Sequence, residues 1–231
     1  MRVHTLAMLI GISGLLLADD QTDQKVQVTH TERMDFPSGG LLRFQNSVGE
    51  LTVEGWDRPD VEITTIKSTD AVYPPQDREK AAAELNKVQI SVERQSTDLV
   101  VATNYPRHWG RPRGFDLWYQ VKAPRNARLA VNHGSGEVHI DSLTSDIHVT
   151  VHDGGMTLRL PEDGQYSIDA KCSIGDMTSD FPGREKRKPW LFGHQFLRET
   201  QASHSLYLRV GFGDITILKI EKPATPTPVA H

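Results

Sequence analysis

Two segments of this chain set cations among aromatic rings. NYPRHWGRPRGF (104–115) places Arg107, Arg111 and Arg113 beside Tyr105, His108 and Trp109. REKRKPWLFGH (184–194) places Arg184, Lys186, Arg187 and Lys188 beside Trp190 and Phe192. Such cations neutralise phosphate or uronate, and such rings stack on bases or sugar faces. The mixture also suits the headgroup layer of an anionic membrane. The plainer use is that the rings cap a sheet stack while the charges keep the loops hydrated. Arg107, Trp109, Arg111, Arg113, Lys186, Arg187, Lys188 and Trp190 are therefore the candidate ligand-binding residues.

The remaining chemistry-bearing residues point less sharply. His133, His139, His148 and His152 fall within 20 residues. Alternation turns His139, His148 and His152 outward, where adjacent coils would bring two or three imidazoles within reach of a Zn²⁺ or Cu²⁺ ion. No acidic or cysteine ligand at conventional spacing accompanies them, so solvated histidines on a polar face are the expectation. Glu50, Glu137, Asp176 and Asp214 each follow a glycine, but in units of about 20 residues or their multiples rather than at the nine-residue repeat of a calcium solenoid. A glycine at a corner and a water-facing acid at the start of a strand explain them. Cys172, the one cysteine, is in phase with inward Ile168 and Ala170 and reads as a buried thiol. The chain shows no G-x-S-x-G elbow, H-E-x-x-H pair or P-loop. Catalytic residues, metal ligands and cofactors are accordingly none.

Thirty-seven per cent apolar residues in 231 suffice for one moderately large domain. A formal charge of −4 supplies no overall field for nucleic acid, and no specific nucleic-acid binding is expected. The start, MRVHTLAMLIGISGLLLADD, joins Arg2 to an apolar run too short to span a bilayer, which needs roughly 20 residues. It fits a signal peptide over 1–18, cleaved after Ala18, and hence an exported protein, periplasmic, secreted or at the cell surface. With a single cysteine, such a protein depends on a regular hydrogen-bonded core rather than on disulfides.

Those residues need strands to position them. Period-2 alternation runs through KVQVTH (25–30), ELTVEG (50–55), VEITTI (61–66), EVHID (137–141), DIHVTV (146–151), SLYLRV (205–210) and DITILKI (214–220). QDREKAAAELNK (76–87) alone has helical character. Gly136, Gly155 and Gly175 stand 19 and 20 residues apart, and Gly213 follows 38 later, with two short strands per unit. Units that cannot bury a face alone predict an all-β, solenoid-like stack with one short surface helix. The expected plan is a flexible 19–25, one domain over 26–220 with an insertion loop at 181–204 in place of one coil, and a disordered 221–231.

The order L-x-F-x-N, G-E-L-x-V-x-G-W-D, V-E-I, a short helix, V-x-I-x-V, L-V-V-x-T, Y-x-V-x-x-P and repeated G-[ED]-[VI]-x-[VI] units resembles the bacterial DUF4097 "putative adhesin" family over roughly 26–220. The resemblance implies an exported or envelope-associated β-solenoid-like domain and carries over no catalytic residues. The expected function is non-covalent binding at the envelope, to an anionic glycan, a lipid headgroup or another envelope protein. A self-associating structural scaffold is the alternative, followed by a polysaccharide-acting enzyme.

Overall fold

The computed structural model describes residues 22–105, 114–188 and 193–220. The chain forms β1 (Gln24–Asp35), β2 (Leu41–Trp56), β3 (Asp60–Tyr73), α1 (Pro75–Leu85), β4 (Gln89–Gln95), β5 (Asp98–Asn104), β6 (Phe115–Pro124), β7 (Arg128–Asp141) and β8 (Ile147–Asp153). It continues with β9 (Met156–Pro161), β10 (Tyr166–Ile174), β11 (Met177–Ser179), β12 (Arg184–Lys188), β13 (Gly193–Arg198), β14 (His204–Phe212) and β15 (Ile215–Ile220). The all-β, solenoid-like expectation holds, and the single helix lies within two residues of its expected span.

The strands build two faces, because β2 and β7 each bend from one to the other. The first halves of β2 and β7 join β5, β8, β14, β10, β13 and β12 in the first sheet, which β4 extends beyond β5. Their second halves join β6, β3, β1, β9, β15 and β11 in the second. Inward residues of the two faces meet across one core. Phe44 of the first packs edge-on against Tyr119 of the second at 6.1 Å, and the Tyr119 hydroxyl bonds Thr103 Oγ1 at 2.5 Å. Leu51 and Val53 are fully buried, as the alternation in ELTVEG requires.

At each bend the backbone passes a glycine with φ between +86° and +137°: Gly49, Gly136, Gly154, Gly213 and Gly175, in stacking order. These corners touch. A Cβ on Gly136 would lie 1.9 Å from the Gly49 carbonyl oxygen, one on Gly154 2.0 Å from that of Gly136, and one on Gly213 2.2 Å from that of Gly154. No side chain fits where backbone lies against backbone. The corner of the third unit is thus Gly154 and not Gly155, one residue from the position spacing indicates.

Two further departures concern order. The last coil, β14 and β15, inserts between β8/β9 and β10/β11 rather than following in sequence. The 181–204 segment, read as an insertion loop, carries β12 and β13. These form an antiparallel hairpin that extends the first sheet beyond β10 and brings the chain back for the final coil.

His133 secures one corner from inside. Its buried ring lies between Ser47 Oγ, 2.8 Å from Nδ1, and the Gly49 carbonyl, 3.1 Å from Nε2. A carbonyl only accepts, so Nε2 carries the proton and Nδ1 accepts from the Ser47 hydroxyl. Burial pushes the His133 pKa down to about 4, against hydrogen bonds to the Gly49 and Ser135 backbone that favour the charged form.

Gly136→Ala should therefore cost more than about 3 kcal/mol of unfolding free energy, the range of severe backbone clashes. Gly39→Ala, with φ +70° but nothing within 4 Å of the new Cβ, should cost only the left-handed strain of about 1–2 kcal/mol. Urea denaturation of both variants checks this, and equal losses would remove the corner as the cause. For His133 the unfolded chain binds its proton from pH 6.5 downward while the folded chain resists to about pH 4. This residue then leaves stability untouched above pH 6.5 and lowers it by roughly 3 kcal/mol across that window. His133→Gln should flatten that fall in a pH series of denaturation curves.

Candidate functional site

Arg107, Trp109, Arg111, Arg113 and Trp190 lie outside the described residues. Lys186, Arg187 and Lys188 lie on β12, the outermost strand of the first sheet, with Lys186 exposed. What the structure adds is the surface that this strand borders.

Parallel register turns the outward residues of the first sheet into rows. One row runs Arg43, Ala130, His148, Tyr207, Asp169, Leu197, Arg184. The next runs Asn132, Thr150, Arg209, Lys171, Gln195, Lys186. From β2 to β12 these rows extend roughly 29 Å at about 4.8 Å per strand. They hold five cations and one carboxylate, Asp169.

An aromatic pair occupies their centre. Tyr207, 39% exposed, lies with its ring 4.4 Å from that of His148. The Arg209 guanidinium sits 3.7 Å from the Tyr207 centroid while pairing with Asp169 at 2.6 Å and bonding the Asp169 carbonyl at 2.8 Å. The Asp169 contacts fix that cation over the ring. Beside them, small Ala130 leaves a depression of about 340 Å³ walled by Arg43, Gln45, Asn46, Asn132, His148 and Thr150. Amides, a hydroxyl and a guanidinium around a ring can bind both the hydroxyls and the charge of a sugar acid.

The second sheet presents different chemistry. One outward row holds Glu50, Glu137, Gly155, Asp214 and Asp176. The next holds Thr31, Thr64, Gln120, Thr52, His139, Thr157, Thr216 and Thr178. Two of the acids serve the corners. Glu137 Oε1 accepts from the Gly155 amide at 3.1 Å, and Asp214 Oδ1 from the Asp176 amide at 2.7 Å. At Glu137 and Asp214 the glycine–acid unit is thus a corner whose carboxylate takes up an amide of the neighbouring coil.

The histidines do not assemble. His133 is buried, His148 and His152 face outward on the first sheet, and His139 lies on the second. The alternative in which outward imidazoles meet around an ion fails, because His139 follows the bend in β7 onto the second sheet while His148 and His152 stand on the first. Among the described residues no group of three or more His, Cys, Asp or Glu side chains is placed to hold a metal ion. Cys172 is buried, donates to the Gly175 carbonyl at 3.1 Å, and burial raises its pKa.

Sequence reasoning missed the surroundings of Trp56. Arg33, Arg58 and Lys122 lie 5.3, 4.8 and 5.9 Å from its ring centroid, and its Nε1 donates to the Asp60 carbonyl at 2.8 Å. Asp60 pairs with both arginines, and Asp57 pairs with Arg125 at 2.7 Å, which holds the Asp57 carboxyl below its ordinary range. These charges answer one another, so the cluster closes the end of β2. Its cations come from β1, β6 and the turn after β2, which no local sequence window shows.

Solved structures similar to this chain include a putative cell adhesion protein from Clostridium sporogenes ATCC 15579, with TM-score 0.48 and 13% identity over 84% of this chain and 100% of that one. Another is a putative adhesin from Parabacteroides merdae ATCC 43184, with TM-score 0.30 and 10% identity over 83% of this chain and 78% of that one. A putative adhesin from Parabacteroides distasonis ATCC 8503 gives TM-score 0.23 and 9% identity over 82% and 70% of the two chains. Among curated proteins none matches. The sequence profile of the Toastrack DUF4097 family matches residues 56–218, and the chain belongs to that family.

Proposed function

We propose that this protein is exported and acts at the cell envelope by non-covalent binding, with the outer rows of the first sheet as its binding surface and an anionic glycan as the ligand. The observation that carries this reading is the combination of Arg43, Arg209, Lys171, Arg184 and Lys186 with the Tyr207–His148 pair on one surface. Cations spaced along a sheet match charges that repeat along a polymer, and a partly exposed ring held in place matches a sugar. A lipid headgroup layer uses the cations but leaves the depression beside Ala130 unexplained. The protein is read as non-catalytic, since the surface collects cations and amides rather than an acid–base pair. Among the described residues no helix is long and apolar enough to cross a membrane.

The direct test is binding to a polyuronate, with neutral dextran and anionic liposomes as comparisons. The double variant Arg43→Ala/Lys171→Ala should weaken polyuronate binding at least tenfold, and rising salt should weaken the wild type in parallel. Arg159→Ala on the second sheet removes an exposed cation and should leave binding unchanged. Equal losses in both variants, or preference for liposomes, would overturn the reading. Export has its own measurement: the chain recovered outside the cytoplasm should begin at Asp19.

A further inference from the structure

At the end of the stack opposite β12, both sheets stop at an open edge. Among the described residues β1 pairs only with β3 and β4 only with β5. Between these edges lies a cleft of about 460 Å³, within the size range of small-ligand sites. Five apolar side chains, Val28, Ile63, Val88, Ile90 and Val92, line it among polar ones, with Ile63 and Val88 belonging to the core itself.

One lysine is set deep in this cleft. Lys67 is 9% exposed, and its Nζ donates to the Val88 carbonyl at 3.1 Å and to Asn86 Oδ1 at 3.3 Å. Both partners are neutral, and among the described residues no carboxylate pairs with it. An ammonium has three N–H donors, so one remains beyond these two bonds. A buried cation answered only by neutral acceptors is the arrangement that an incoming anion relieves. Burial alone lowers the Lys67 pKa, with no charged neighbour contributing.

The other end of the cleft carries a carboxylate. Glu32 pairs with His30 at 2.8 Å, opposite Ile63 and Thr65 on β3, whereas Lys67 lies opposite Val28. Four residues of strand separate the two levels, about 13 Å at roughly 3.3 Å per residue. A ligand with one carboxylate and an apolar body fits that polarity. A second carboxylate at the far end would meet Glu32.

We infer that this cleft is a binding site for a monocarboxylate with an apolar body, its carboxylate on Lys67 and its body over Ile63, Ile90 and Val92. The site is remote from the outer face of the first sheet and independent of what binds there. The carboxylate could belong to a free aliphatic acid or to the C-terminus of a peptide ending in an apolar residue, and the probes separate these sources.

Titration calorimetry of the full chain with octanoate, 1-octanol and octanedioate provides the test, together with a short peptide ending in leucine and its C-terminal amide. Octanoate should bind at least tenfold more tightly than octanol or octanedioate. Preference for the leucine peptide over both its amide and octanoate would assign the site to peptide termini. Lys67→Met should bring octanoate down to the level of octanol. Because Lys67 also holds the turn after α1, Ile90→Trp supplies a second variant that fills the cleft and leaves the ammonium in place. It should abolish binding with an unchanged circular dichroism spectrum. No detectable binding of any carboxylate probe, equal binding of octanoate and octanol, or full binding by either variant would overturn the assignment.

Discussion

The close approach of backbone to backbone at the bends is the constraint on which the other features depend. Five glycines stack in one column, each with its missing side chain against the coil before it. Contact at that range leaves the strands on both sides little freedom of register, since slipping by one residue would put a Cβ into a carbonyl oxygen. In-register parallel pairing follows, and from it the separation of inward and outward rows. The ring of His133 fixes the same corner from within, tying Ser47 to Gly49 across the bend.

Register then decides chemistry. Residues far apart in sequence become neighbours at one strand spacing, so Arg43, His148, Tyr207 and Asp169 share a row although they come from four strands. The two outer faces diverge: cations and a stacked aromatic pair on one, carboxylates and threonines on the other. A weakly negative chain thereby gathers five cations into two rows, of which Arg184 and Arg209 are paired with Glu199 and Asp169. The ends of the stack diverge as well. The β12–β13 hairpin extends the first sheet at one end, while at the other the edge strands stand apart around Lys67.

Much of the architecture was legible in the residues. Alternation placed Leu51 and Val53 in the core and Glu50 and Thr52 outside, because strand geometry makes side-chain direction a local property. The helix was legible for the same local reason, since PQDREKAAAEL has a helical composition. Spacing missed the corner at Gly154 by one residue, because Gly154 and Gly155 are chemically alike and only Gly154 approaches a neighbouring backbone. The segment 181–204 hid its hairpin because REKRK has no apolar alternation. It pairs at the edge of the sheet, where one side needs no burial.

By itself, then, the sequence determined the identity and facing of most strands, the family and four of the five glycine corners, all of which follow from neighbours along the chain. Only the tertiary structure decided the order of coils, the insertion of β14 and β15 beside β8 and β9, and the assembly of both candidate sites. Tyr207 reaches His148, and Lys67 reaches Asn86 and Val88, through pairings that join distant segments. Alternation tells a residue which way to face. Which residues stand beside it is set by how the coils stack, and that depends on a fit of backbone against backbone that no single strand encodes.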